Sequence, residues 1–266
     1  MRLFVCNELQ HPPLLHRVPA VSGLKGCGHP GSPVQHAHTV DTRRHFHLNT
    51  VFCLFTPRVF QMMDKLGVGD SWRFVDVLGL EGEQLSTVPA PCCALMLLFP
   101  LTQQHESFRQ QQVGNIAEDS KAYFLKQTVV NSCGTIALLH AVANNQSKVT
   151  FNSDSALKKF LDETANMSAD DRAKHLEKNQ AICDAHSEVA VQGQCRPEAD
   201  KVNFHFIAFV NVNGQLYEFD GRMNGPVKHG ATNEESFIMD ASKVCRGFVE
   251  REQGEVRFSA VALCRS

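Results

Sequence analysis

Gln127-Thr128-Val129-Val130-Asn131-Ser132-Cys133-Gly134-Thr135-Ile136 is the stretch on which the reading of this chain turns. From Thr135 onward, Ile136, Leu139 and Ala143 recur at helical spacing and predict a helix reaching about Asn144. Ser132 or Asn131 can cap it, which places Cys133 in the first turn. There the unpaired N–H groups and the positive end of the helix dipole favour the thiolate. Gly134 carries no side chain to obstruct approach to the sulfur. Tyr123 to Leu125 reads as a short strand leading in, and Gln127 is placed to return its amide as an oxyanion donor. A cysteine in a sequence is more often a small buried hydrophobe than a nucleophile. Cys92 and Cys93 in an apolar strand, Cys183, Cys245 and Cys264 take that bland reading, and Cys195 lies in a polar loop with nothing to activate it. Cys133 therefore needs a base.

Val202 to Val212 alternates as a strand, with His205 and Ile207 on one side and Phe204 and Phe206 on the other. Asn213-Gly214 follows, a pair that tolerates φ > 0 at both positions and signals a two-residue hairpin turn. Leu216 to Phe219 resumes the strand and ends in Asp220-Gly221-Arg222. If 212 pairs with 215, residue 220 faces 207, and His205 and Asp220 are diagonal neighbours roughly 7–8 Å apart. A carboxylate there can fix the tautomer and orientation of an imidazole whose other nitrogen serves a nucleophile. A purely structural His–Asp pair across a hairpin remains an open alternative at this step. His105 and His186 read as polar helix positions, His140 follows Cys133 by two turns, His175 lies among charges, and His229 reads as a loop residue. Gln127, Cys133, His205 and Asp220 are together the parts of a cysteine hydrolase.

The remaining elements are mixed without regular βαβ units. Trp72–Val77, Cys93–Phe99 and Val256–Leu263 read as strands, Ser168 to about Val189 as one long helix, and Glu234–Glu250 as a helix with Phe237, Ala241, Val244, Cys245 and Phe248 facing the core. This predicts an α+β layered domain.

Of 266 residues, 26 are basic and 28 acidic, and this near-neutral balance argues against binding nucleic acid through phosphates. That average is a mixture. Residues 1–57 hold seven of thirteen histidines and six of eleven prolines, with a charge of +3, whereas 58–266 carries −5. Val18 to His47 has no period and is punctuated by Gly, Pro and Ser, so residues 1–57 are read as a disordered extension. His36-x-His38 and His45-x-His47 are too loosely spaced, and too poor in acidic or thiol partners, to specify a metal site. No signal peptide and no membrane span are expected, and ten cysteines without a leader read as reduced thiols of a cytosolic protein.

Asn131 to Thr135 with Gln127 upstream, Phe204-His205-Phe206, and Leu216 to Arg222 resemble the ubiquitin carboxyl-terminal hydrolase family. Trp72 to Gly79, Pro89 to Pro91, His140 to Gln146 and Arg251 to Ser259 extend the resemblance from about Lys65 through Arg265. It implies a papain-like α+β fold with a central, mainly antiparallel sheet flanked by helices, and a knotted backbone. It also implies hydrolysis at the C-terminal glycine of ubiquitin without a cofactor or metal. By position, Cys133 would be the nucleophile, His205 the general base and then acid, and Asp220 its orienter. Gln127 and the Cys133 N–H would form the oxyanion site. Val189 to Lys201 would be the loop that crosses the active site and admits only small leaving groups or flexible tails. On this reading residues 1–57 are an unmatched extension and 58–266 the hydrolase domain, with ubiquitin as partner. Residues 1–60 do not resemble the family's lead-in, so the alternative is a ubiquitin-binding protein with little turnover. Cys264, third from the end in Cys-Arg-Ser, does not form a four-residue prenylation signal, and no stable membrane anchor is expected.

Overall fold

The computed structural model describes residues 55–117, 121–191, 203–252, 255 and 257–266. The histidine-rich stretch, Cys195, the loop beyond Val191 and the start of the strand read from Val202 all lie outside them, as does Val256.

The element order is α1 (Phe55–Lys65), β1 (Trp72–Val77), α2 (Gly82–Ser86), β2 (Cys92–Pro100), α3 (Gln103–Gln111), α4 (Cys133–Ala143), α5 (Ala156–Thr164), α6 (Ala169–Glu177), α7 (Gln180–Val191), β3 (Phe204–Val212), β4 (Gln215–Phe219), β5 (Val227–Ala231), α8 (Phe237–Arg251) and β6 (Ser259–Arg265). The strands form one six-stranded sheet in the order β1-β6-β2-β3-β4-β5, and every neighbouring pair is antiparallel. This is the expected α+β architecture.

All nine residues of β2 are buried, as its unbroken apolar run requires of a strand covered on both faces. Alternation sends Met96, Ala208, Val210, Val261 and Leu263 to a core shared with α1, α4, α5, α6 and α7. Leu95, Leu97, Phe99, Ile207, Phe209, Ala260 and Ala262 face the other way, onto α8. The predicted apolar stripe of α8 is the one buried there, with Phe237, Ala241, Cys245 and Phe248 within it. The helix starts at Phe237 rather than Glu234 because the Asn233 side chain accepts the N–H groups of both Glu235 and Ser236, forming a turn ahead of it.

Two further expectations are corrected. The long helix from Ser168 is two helices. Ser168 caps the first as expected, accepting the Asp171 N–H at 3.1 Å, but Asn179 accepts the Ile182 N–H at 3.0 Å and starts a second. Ala173 and Leu176 would lie about half a turn out of phase with Ile182 and Ala185 in one continuous helix. The break lets both pairs be buried. Tyr123 to Leu125 is not a strand. Its backbone groups bond to side chains instead. Asn144 holds the Tyr123 N–H and carbonyl at 2.7 and 3.0 Å, Arg172 donates to the Phe124 carbonyl at 3.1 Å, and His140 Nε2 lies 3.0 Å from the Leu125 nitrogen.

Candidate active site

The hairpin forms in the register derived from the Asn213-Gly214 turn. Val212 pairs with Gln215 and Ala208 with Phe219, and Asn213 and Gly214 take φ of 52° and 78°. His205 near the start of β3 and Asp220 just beyond β4 are thereby brought together. His205 Nε2 lies 2.7 Å from Asp220 Oδ1, and both side chains are almost wholly buried. The same oxygen accepts the Arg222 N–H at 2.9 Å, which fixes the carboxylate. The Phe99 ring meets the His205 ring edge-on, with centroids 5.8 Å apart. One imidazole nitrogen is thus committed to Asp220, and the ring is also electrostatically coupled to the Cys133 thiol.

Cys133 is the first residue of α4. The expected side-chain cap is absent. Ser132 stands at the cap position, but its hydroxyl donates to the Val129 carbonyl at 2.7 Å, and Asn131 turns away with φ of 61°. Backbone N–H groups of Gly134 and Phe206 donate to the sulfur. Gly134 matters for what lies beside it, since a Cβ there would stand 3.3 Å from the Phe206 ring.

The electrostatics of the three groups run in one direction. Burial pushes the Cys133 thiol up, but the His205 ring and the two N–H groups outweigh it and hold the thiol below its ordinary value. Burial pulls His205 down, but bonds to Asp220 and Cys133 raise it to about 9. Burial raises Asp220, and its bonds to His205 and Arg222 hold it below the usual carboxylate range. The arrangement shifts Cys133 toward the thiolate and keeps His205 protonated near neutrality, pairing a nucleophile with a proton donor.

Gln127 enters through its backbone. Its N–H donates to the Gly221 carbonyl at 2.7 Å, immediately after Asp220, while its amide Nε2 donates to Val129 at a long 3.3 Å. Its Oε1 is buried without a partner. Gly221 permits this approach, because a Cβ on it would come within 2.7 Å of Ile136 and 3.0 Å of the Gln127 Cβ.

Of the other histidines, His140 and His186 lie on their expected helices, whereas His105 and His229 differ from their sequence reading. His105 is buried, with both ring nitrogens unpartnered among Phe99, Phe108 and Phe248, and burial lowers it to about 4. His140 is fully buried and serves the backbone of Leu125. His186 pairs with Thr135 of α4 at 2.8 Å. His229 lies in β5 rather than a loop, 2.7 Å from Glu218 of β4. Its register passes through an irregularity between Leu216 and Tyr217, which simple strand counting cannot anticipate. Among the described residues no group of three or more His, Cys, Asp and Glu side chains could hold a metal ion.

A sequence profile described as ubiquitin carboxyl-terminal hydrolase, family 1, matches residues 56–250. The chain belongs to the ubiquitin carboxyl-terminal hydrolase family. It is a cysteine-type hydrolase of the deubiquitinating class. Human ubiquitin carboxyl-terminal hydrolase isozyme L1 is 62% identical over 209 residues, covering 77% of this chain and 93% of that protein. The cattle isozyme L1 is 53% identical over 238 residues, covering 77% and 94%. At the level of fold, this hydrolase superposes on the crystal structure of the Trichinella spiralis UCH37 catalytic domain bound to ubiquitin vinyl methyl ester. The TM-score is 0.65 with 20% identity, over 84% of this chain and 96% of that one. The family match begins at residue 56, within the first turn of α1.

Proposed function

We propose that Cys133, His205, Asp220 and Gln127 carry out hydrolysis at the C-terminal glycine of ubiquitin. The observation that carries this reading is the buried His205–Asp220 pair, with His205 coupled to the Cys133 thiol that opens α4. The Cys133 thiolate adds to the glycine carbonyl carbon, and the carbonyl electron pair moves to oxygen. The Cys133 N–H and the Gln127 amide, swung from Val129, hold that oxyanion. His205 gives its proton to the leaving group as the carbon–heteroatom bond breaks, and a thioester remains. Neutral His205 then takes a proton from water, whose oxygen attacks the thioester, and the thiolate departs. Asp220 stays ionised throughout and orients the ring.

The substrates are small adducts or flexible extensions of ubiquitin. This rests on the resemblance of Val189 to Lys201 to the family's crossing loop, most of which lies outside the described residues. The catalytic domain comprises residues 58–266, lengthened at its start by the first residues of α1, and 1–57 is otherwise an extension. A cytoplasmic site of action fits the free thiols at Cys92, Cys93, Cys133, Cys183, Cys245 and Cys264. Among the described residues no helix is long and apolar enough to cross a membrane.

The test is release of a fluorophore amide-linked to the ubiquitin C-terminus. Turnover by the full chain and none by Cys133→Ala is expected. Tight ubiquitin binding without turnover by folded wild-type protein would overturn the reading.

A further inference from the structure

Two cysteines outside the site face each other at one end of the β2–β6 ladder. Cys92 opens β2 and Cys264 lies one residue from the end of β6, and the register places them directly opposite. Residues so paired have Cα atoms about 4.5–5.5 Å apart, inside the range a disulfide spans. Their sulfurs are 2.7 Å apart, and both thiols are free. Cys92 also donates to the Pro89 carbonyl at 2.7 Å, which holds its side chain in place.

The register pairs these two thiols with each other, although Cys245 of α8 shares their core. Cys92 and Cys264 both belong to the core on the α8 side of the sheet, whereas Cys93, the sequence neighbour, points into the core on the opposite side. An irregularity in the β2–β6 register between Cys92 and Ala94 separates the two. Next to Cys264, Arg265 donates to the Pro91 carbonyl at 3.1 Å and Ser266 to the Ser71 carbonyl at 3.0 Å. Local opening of this end of the β2–β6 ladder would admit a peroxide to the pair.

We propose that Cys92 and Cys264 are a modification site, forming a reversible cross-strand disulfide when the protein meets a peroxide. The Cys92 thiolate attacks the peroxide O–O bond, giving a Cys92 sulfenic acid and releasing hydroxide or alkoxide. The Cys264 sulfur then attacks the Cys92 sulfur, the S–O bond breaks, and water leaves with the Cys264 proton. Two thiols are oxidised and one peroxide is reduced. Bonding from Cys264 makes Cys92 the more acidic partner despite its burial, which suits it to the first step. The bond would tie the last strand to β2 and restrict the unfolded chain.

The experiment treats the full chain with hydrogen peroxide, blocks remaining thiols with N-ethylmaleimide in denaturant, and maps peptides without reduction. A Cys92–Cys264 linked peptide that dithiothreitol removes is expected. So is an upward shift in the guanidinium unfolding midpoint that Cys92→Ser and Cys264→Ser each abolish. Cys133 is expected to carry oxygen adducts but no link. Recovery of Cys92 and Cys264 both alkylated, or of Cys92 joined to Cys93 instead, would overturn the proposal.

Discussion

His205 Nε2 lies 2.7 Å from Asp220 Oδ1, and that contact sets the protonation of the whole site. With His205 raised to about 9 and the Cys133 thiol lowered, the pH profile of kcat/KM rises on its acid side as the thiol ionises and falls through about pH 9 as the imidazolium loses its proton. These apparent values belong to the coupled pair. The sign for stability follows. A raised histidine stabilises the fold fully below about pH 6.5 and loses that contribution as pH rises through about 9. Asp220, depressed, contributes above its ordinary value near 3.8 and loses it as pH falls through the lowered one.

Asp220→Asn removes the larger of the two influences that hold His205 protonated, leaving only Cys133 to oppose the effect of burial on the ring. The alkaline limb should move from about 9 toward lower pH, and kcat/KM should fall roughly 10²–10⁴-fold, read by pH-resolved release of the ubiquitin fluorophore. An unmoved alkaline limb would mean that the limb does not report His205.

Gln127→Ala tests the oxyanion role apart from the fold, because its structural bond to Gly221 uses the backbone N–H and survives the change. A loss of about 10²–10³ in kcat with KM nearly unchanged is expected from steady-state kinetics. A loss confined to KM would assign the side chain to substrate binding.

Asn144→Ala deletes the clamp on both backbone groups of Tyr123. We expect about 2 kcal/mol of destabilisation in urea unfolding. A drop in kcat should accompany it, since the freed segment carries Gln127.

Gly221→Ala forces a methyl group against Ile136 and Gln127. A destabilisation of about 1–3 kcal/mol by thermal or urea unfolding should result, together with reduced turnover. Wild-type stability would show that this approach is looser than the distances state.

The hairpin and its His–Asp pair were legible because every determinant is local: two turn residues fix the register, and period-2 counting does the rest. Cys133 was legible as the residue opening an apolar helix. Tyr123 to Leu125 reads as a strand but is not one, because its partners are side chains, Asn144 and His140 on the following helix and Arg172 on α6. The break between α6 and α7 left a trace that could have been found. Ala173 and Leu176 are out of helical phase with Ile182 and Ala185, and Asn179 stands between them as a cap. His229 escaped because β5 is only five residues, Val-Lys-His-Gly-Ala, with no alternating apolar pattern to mark it as a strand. The burial of His105 had no signal, since its polar helix gives no sign that it packs against Phe99 and Phe248.

The place of β6 in the sheet bears on the order of events in folding. It lies between β1 and β2, so among the described residues the first strand is joined to the sheet only through the last. Until β6 docks, β1 has no strand partner and one edge of the wholly apolar β2 is open. Such long-range pairing must overcome a large loop-closure entropy, which slows assembly and leaves an aggregation-prone edge bare during synthesis. The helix and hairpin that build the catalytic corner can organise earlier, but the core beneath them closes last.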